Sequence, residues 1–182
     1  MELKIVEYLN HLWAGTFVDT ATEFLSAYSF LFILWVSIAL LSLLLDKKNG
    51  KRLCIALLIA IGFYFIVSEF IFKHLLIAAW GVRLRPYLVS DNIIPLGIRR
   101  IDSSFLSNHM SSTLAMLTVI IFYYRKVWPL AIIFILLMAF SRMHNGMHYP
   151  SDVLAGIILG IMLGFTGIFL TKRIMSMRAS NL

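Results

Sequence analysis

Five apolar runs, each bounded by charged or turn-forming residues, leave this chain few ways to fold. They cover about Phe24–Leu45, Leu53–Phe72 (with apolar character continuing toward Trp80), Ser107–Tyr124, Val127–Phe140 and Val153–Leu170. A hydrocarbon core takes about 20 apolar helical residues to cross. The first two runs reach that length, and the fourth is short on its apolar count. With 60% hydrophobic residues and a mean hydropathy of +0.89 over 182 residues, a water-soluble domain could not hide so much apolar surface. Within lipid the backbone must satisfy its own hydrogen bonds, which favours helices. The expectation is an all-α integral membrane protein: a single domain over residues 1–182, built as a bundle of five transmembrane helices.

Ahead of the first run, Leu3, Val6, Leu9, Leu12 and Trp13 recur at roughly helical spacing. They predict an amphipathic interfacial helix over residues 2–17. If that stretch crosses instead, the bundle has six helices. Glu2, Lys4, Glu7, Asn10 and His11 interrupt it, so no secretory leader is expected. The net charge of +7 sits between apolar runs, which suits anionic lipid and gives no nucleic-acid motif. Lys47, Lys48, Lys51, Arg52, Arg125, Lys126, Lys172, Arg173 and Arg178 fall on one side of a five-span topology, the side expected to be cytoplasmic. The 81–104 connection and the 141–152 stretch then share the outer side, facing a periplasm or the exterior. Cys54, alone in an apolar run, is read as a small hydrophobe. Gly156, Gly160, Gly164 and Gly167 are read as close-packing positions.

The chemistry concentrates in Ser141-Arg142-Met143-His144-Asn145-Gly146-Met147-His148-Tyr149-Pro150-Ser151-Asp152. Ionisable groups beside hydrocarbon are expensive and are read as functional. Pro150 suits a helix's first turn, so a helix is expected to start near Tyr149–Ser151. His148 then stands at its entrance, with Asp152 one turn on, able to orient the imidazole as a base orients a nucleophile. Arg85-Pro86 and Ser107-Asn108-His109 lie on the same outer side. Arginine forks suit phosphate oxygens, and a helix opening at Ser107 offers free amides. Two histidines allow one to attack and the other to protonate a leaving group. These parts describe phosphoryl transfer without a metal or other cofactor. No His-Glu-x-x-His or cysteine cluster is present, and Gly146 and Pro150 make a continuous helix through His144 and His148 a poor expectation.

Ser141-Arg142, five residues, His148, three residues, Asp152 resembles the third signature of the type-2 phosphatidic acid phosphatase superfamily. Leu106-Ser107-Asn108-His109 is similar to its second signature, Pro-Ser-Gly-His, and Arg85-Pro86 to the end of its first. The resemblance covers roughly residues 50–172, with the signatures within about 73–156. It implies that His148 attacks phosphorus, Asp152 orients it and His109 protonates the departing oxygen. It also implies that Arg85, Arg142, Ser107 and the amide at Asn108 hold phosphoryl oxygens, with Ser141 supporting the site. Three positions depart from the pattern. Ala78 stands where a lysine is expected, with Arg83, or less favourably Lys73, to supply the charge. Leu106 replaces proline, and Asn108 replaces glycine.

Phe-Ser-Arg followed by Gly-Met-His-Tyr-Pro-Ser-Asp-Val-Leu-Ala-Gly resembles the branch of polyprenyl (undecaprenyl) diphosphate phosphatases, enzymes of cell-wall biogenesis that take a lipid substrate from the bilayer. Phosphatidic acid, phosphatidylglycerol phosphate and lipid A phosphate are the alternatives within the class. A non-hydrolytic lipid-phosphate binder or flippase needs the arginines but not His109, His148 and Asp152, and a purely structural subunit needs none of them. Of the remaining groups, His144 is expected to line the pocket, and His11 and His74 to be interfacial or structural. Glu69 and Lys73 form an expected snorkelling interfacial pair, and Ile93–Leu96 a patch dipping into the interface.

Overall fold

The computed structural model describes residues 1–76 and 81–180, and their side chains except those of Glu69, 73–76 and 179–180. Ala78, the side chains of the Glu69–Lys73 pair and that of His74 thus lie outside the described residues. Helix α1 is Glu2–His11, α2 Phe17–Leu25 and α3 Tyr28–Leu45. Helix α4, Gly50–Tyr64, runs on as a π-helical segment, Phe65–Leu76. A single turn, α5 (Pro86–Val89), interrupts the long connection to α6 (Asn108–Tyr123). A short 3-10 turn, Arg125–Val127, leads into α7 (Trp128–His144), and α8 is Pro150–Ser180.

Among the described residues, four stretches are long and apolar enough to cross a membrane: Tyr28–Leu45, Gly50–Phe72, Arg125–His144 and Pro150–Arg178. The fifth expected span, α6, has 16 residues and a length of about 24 Å. It is enclosed by the rest, with Met110, Leu114, Ala115, Met116, Val119 and Ile120 all buried. Leu44, Leu130, Leu136 and Phe169 are exposed on the bundle's outside, as lipid-facing residues are.

What brings α6 and α8 together is a seam of small residues. A Cβ at Gly156 would fall 2.6 Å from the Ser107 carbonyl oxygen, and one at Gly164 2.6 Å from Thr118 Cβ. Gly160 faces the Ser111 carbonyl in the same way, and Gly167 meets Ala56 of α4. Backbone-to-backbone approach of this kind is how helices associate where lipid removes the hydrophobic driving force. It sets the head of α8 beside the head of α6. At the other end of α6 the basic turns gather: Ser42 Oγ and Tyr124 OH are 2.9 Å apart, and Lys172 Nζ lies 4.4 Å from the Phe122 ring centroid.

The N-terminal third differs from expectation. The stretch 2–17 is not one helix: α1 stops at His11, and Trp13 and Gly15 take positive φ. At 10 residues α1 is too short to cross a bilayer. The run read as 24–45 is broken at Ser26-Ala27, where the Ala27 backbone is extended. Ile93 does not dip into an interface; it is buried against Val6 and Tyr149. Helix α7 continues to His144, so Arg142 and His144 belong to its last turn rather than to a loop.

Candidate active site

One pocket at the heads of α6 and α8 is lined by Arg85, His109, Arg142 and His148, with Arg100, Asp102 and Asn108 around them. These residues come from segments far apart in sequence: the 81–104 connection, the head of α6, the last turn of α7 and the turn before α8. His148 sits in the tight turn between α7 and α8, where Gly146 takes φ +70°. Arg142 and His148 are 6% and 3% exposed.

The imidazole of His148 has a defined tautomer. Its Nδ1 lies 2.7 Å from the Ser104 carbonyl oxygen, which can only accept, so Nδ1 carries the proton. The bare Nε2 then faces Arg85 Nη1 at 3.4 Å. Burial, followed by the charges of Arg142, Arg85 and His109, holds His148 well below the usual imidazole range, against a smaller opposite pull from the Ser104 carbonyl. A neutral ring with its lone pair turned among guanidinium groups is a poised nucleophile.

Asp152 is placed differently from the sequence expectation. Its Oδ2 is 3.9 Å from His148 Nδ1, an ion-pair distance but too long for a hydrogen bond, and the same oxygen accepts the Tyr149 amide at 2.9 Å. The Ser104 carbonyl does the orienting. Asp152 lends negative charge from within the fold.

Arg83 is a correction. It was expected to stand in for the missing lysine on the phosphate, but its guanidinium is taken by carboxylates and a hydroxyl behind the pocket. Nη1 meets Asp152 Oδ1 at 2.5 Å and Ser151 Oγ at 2.8 Å, and Nη2 meets Glu2 Oε2 at 2.7 Å. Its carbon Cζ lies 4.2 Å from the Tyr149 ring centroid. Glu2 also accepts the Ser151 amide. Burial tends to raise the Glu2 carboxyl, but its bonds to Ser151 and Arg83 hold it below the usual range.

The charge balance of the pocket is uneven. Arg85 is paired with Asp102 at 2.7 Å and also donates to the Met147 carbonyl. Arg142 has no carboxylate within ion-pair distance among the described residues, and its Nε is buried without a hydrogen-bond partner. Ser107 Oγ is likewise buried and unpartnered. Asn108 Oδ1 accepts from Ser68 Oγ at 2.6 Å. A buried guanidinium without a counter-ion costs several kcal/mol, a cost that a bound anion would offset.

His109 Nε2 donates to the Ser26 carbonyl at 2.9 Å, and the ring packs 4.3 Å from that of Tyr28. The break between α2 and α3 is what exposes that carbonyl. Ser141 supports the same break, donating to the Thr22 carbonyl at 3.1 Å and hydrogen-bonding Ser26 Oγ.

His144 is a second correction. It does not line the pocket. It is fully buried, with Nδ1 2.8 Å from the Leu9 carbonyl and Nε2 2.9 Å from Asp19 Oδ1, fastening α7 to the N-terminal helices. His11, expected to be merely interfacial or structural, meets the Asn92 carbonyl at 2.8 Å. Sequence reading missed Arg100, Tyr28, Asp102 and Ser104. The Arg99-Arg100 pair was the one available signal, and nothing local separates its two members.

Residues 52–176 match the PAP2 superfamily. The chain belongs to that superfamily. Over 82 residues it is 42% identical to a Bacillus subtilis protein named undecaprenyl-diphosphatase BcrC; the alignment covers 44% of this chain and 42% of that relative, less than half its length. Over 167 residues it is 27% identical to an undecaprenyl-diphosphatase of Sulfolobus acidocaldarius, covering 91% of this chain and 76% of that one. The fold is similar to the crystal structure of a transmembrane PAP2-type phosphatidylglycerolphosphate phosphatase from Bacillus subtilis: TM-score 0.72, 23% identity, 95% of this chain and 85% of that one. It is also similar to that of Aquifex aeolicus LpxE: TM-score 0.65, 18% identity, 92% and 94% coverage. At these identities the likeness is one of fold. The PAP2 match contains Arg85, His109, Arg142, His148 and Asp152. Glu2, Ser26 and Tyr28, which brace them, precede it.

The Arg83–Asp152 contact predicts a coupled effect. Losing one partner of a buried pair costs about 3–5 kcal/mol; with the Arg83 side chain 34% exposed, Arg83→Ala is expected to cost only about 1–2 kcal/mol. Thermal unfolding of the detergent-solubilised single and double variants measures it. Arg83→Ala added to Asp152→Asn should cost clearly less than the sum of the two; strict additivity would mean the pair is not energetically coupled.

Proposed function

We infer that this protein is a membrane-embedded lipid phosphatase that removes the terminal phosphate of a polyprenyl diphosphate, in the manner of an undecaprenyl-diphosphatase, through a phosphohistidine. The observation that carries the reading is a neutral His148 whose bare Nε2 faces a pocket where the buried Arg142 has no carboxylate partner among the described residues. The names of two curated relatives supply the substrate class. The whole chain is taken as one membrane-embedded domain.

In the first step His148 Nε2 attacks the terminal phosphorus. The bond from phosphorus to the bridging oxygen breaks, and its electron pair leaves with the prenyl monophosphate. Arg85 and Arg142, with Ser107 Oγ and the Asn108 amide at the head of α6, hold the equatorial oxygens as charge spreads over them. His109, in its imidazolium form, gives a proton to the departing oxygen and becomes neutral. In the second step water, deprotonated by His109, attacks the phosphohistidine; inorganic phosphate leaves and His148 is restored. Asp152 offsets the positive charge that His148 acquires when phosphorylated. The residues proposed to act on substrate are thus His148, His109, Asp152, Arg85, Arg142, Ser107 and the Asn108 backbone. Arg83 acts only through Asp152.

The site is proposed to face the periplasm or exterior. The gathering of basic turns at the opposite end of α6 supports this, since cytoplasmic connections are rich in Lys and Arg. In a Cys54→Ser background, a cysteine at the exposed Ile98 should react with a membrane-impermeant thiol reagent in intact cells. Labelling only after permeabilisation would invert the topology.

A phosphate-release panel on reconstituted protein with chelator present tests the activity. Polyprenyl diphosphate should be preferred over phosphatidic acid, phosphatidylglycerol phosphate and lipid A phosphate, and His148→Ala should lower turnover at least on the order of 10³-fold. Preference for a glycerolipid would replace the substrate; unchanged turnover in the variant would replace the nucleophile. A depressed His148 pKa means that acid protonates the nucleophile only below the ordinary imidazole value of about 6.5. The acid limb of kcat/KM, which reports the free enzyme, should therefore lie below that pH. A limb above it would mean that His148 is not held neutral.

A further inference from the structure

A second compartment adjoins the pocket. It is lined by Glu23, Ser26, Leu96, Asn145 and Met147, among others, and shares Tyr28, Arg100, His109 and Arg142 with the first. The shared residues are a partition between two chambers. Two of the four are arginines, and a third is the histidine proposed to meet the leaving oxygen.

Arg100 is the unexplained member. Among the described residues no carboxylate pairs with it. Its guanidinium lies 5.6 Å from the Tyr28 ring centroid. The hydrogen bonds that fix the residue are made by its backbone, whose amide donates to Tyr87 OH at 2.7 Å and whose carbonyl accepts from the same hydroxyl. The side chain is thus held at the partition by a braced loop, with its charge uncommitted. Glu23, the acidic residue of the second chamber, is engaged by the Gly97 amide at 2.8 Å.

We propose that Arg100 seats the departing phosphate of a diphosphate substrate, so that the first chamber holds the phosphoryl group under attack and the second holds the one left attached to the lipid. This rests on the diphosphatase reading above. When the bridging bond breaks, the departing monophosphate gains a negative charge on the oxygen nearest the partition. A guanidinium there matches that charge. A substrate with one phosphate leaves the second chamber without an anion and so draws less from Arg100. The residue therefore selects diphosphates over monophosphate esters.

The test uses the reconstituted full chain hydrolysing a polyprenyl diphosphate, with inorganic pyrophosphate and inorganic phosphate as competing ligands. Arg100→Gln and Arg100→Lys are compared with the wild type. Because the backbone makes the bonds to Tyr87, both variants should keep the loop, and a thermal midpoint checks it. The wild type should bind pyrophosphate more tightly than phosphate. Arg100→Gln should weaken pyrophosphate on the order of 30-fold more than phosphate, as loss of a charge-assisted hydrogen bond would, and Arg100→Lys should restore part of the difference. Equal weakening of both anions, or a wild type with no preference for pyrophosphate, overturns the second seat while leaving the phosphatase reading intact. A wild type that releases no phosphate from any diphosphate overturns that reading and this one with it.

Discussion

The structure depends on a guanidinium charge, that of Arg142, buried with no answering carboxylate among the described residues. Arg142 comes from the last turn of α7 and is 6% exposed. Arg85 beside it is only partly offset by Asp102, whose side chain is one-third exposed. Proteins rarely bury such charge unpaired, because the desolvation cost reaches several kcal/mol per ion. The economical resolution is that the counter-ion is the ligand. Burial first, and the same positive field after it, hold His148 neutral, so the charge that would attract an anion also helps to keep the imidazole lone pair free.

Around that charge the fold is mainly a device for bringing two helix heads together. The glycine seam of α8 against α6 fixes the distance between the Ser107–His109 corner and the His148 turn. The N-terminal helices then close over this end of the bundle. Asn10 bridges Ile94 and His144, Asp19 meets His144, and the Ser26 carbonyl takes His109. Each bond satisfies a polar group that would otherwise be stranded at the rim of the hydrocarbon, so the cap and the site stabilise one another.

The part of this that the sequence made legible is the part carried by short-range pattern. Apolar runs marked the spans, Pro150 marked the start of α8, and the spacing of Arg142, His148 and Asp152 marked the third signature. What remained hidden is long-range. No periodicity reveals that the His144 ring reaches Leu9 and Asp19, more than a hundred positions away, or that Arg83 answers Glu2 and Asp152 instead of a phosphate. The break at Ser26-Ala27 lies inside a continuous apolar stretch, where hydropathy gives no sign of it. Ser104 orients His148 through its backbone carbonyl, a group that every residue possesses, so its identity carried no signal. Arg100 and Arg99 are adjacent and chemically identical, and only the folded loop distinguishes them.

The central claim is that a neutral imidazole nitrogen at position 148 takes the phosphoryl group. Its most direct measurement is rapid alkaline quenching of the reconstituted protein during turnover of a terminally labelled polyprenyl diphosphate, followed by locating the label on the chain. The account predicts acid-labile, alkali-stable phosphate on His148 at short times. Label on any other residue, or steady phosphate release with no label on the protein at any time, would contradict it.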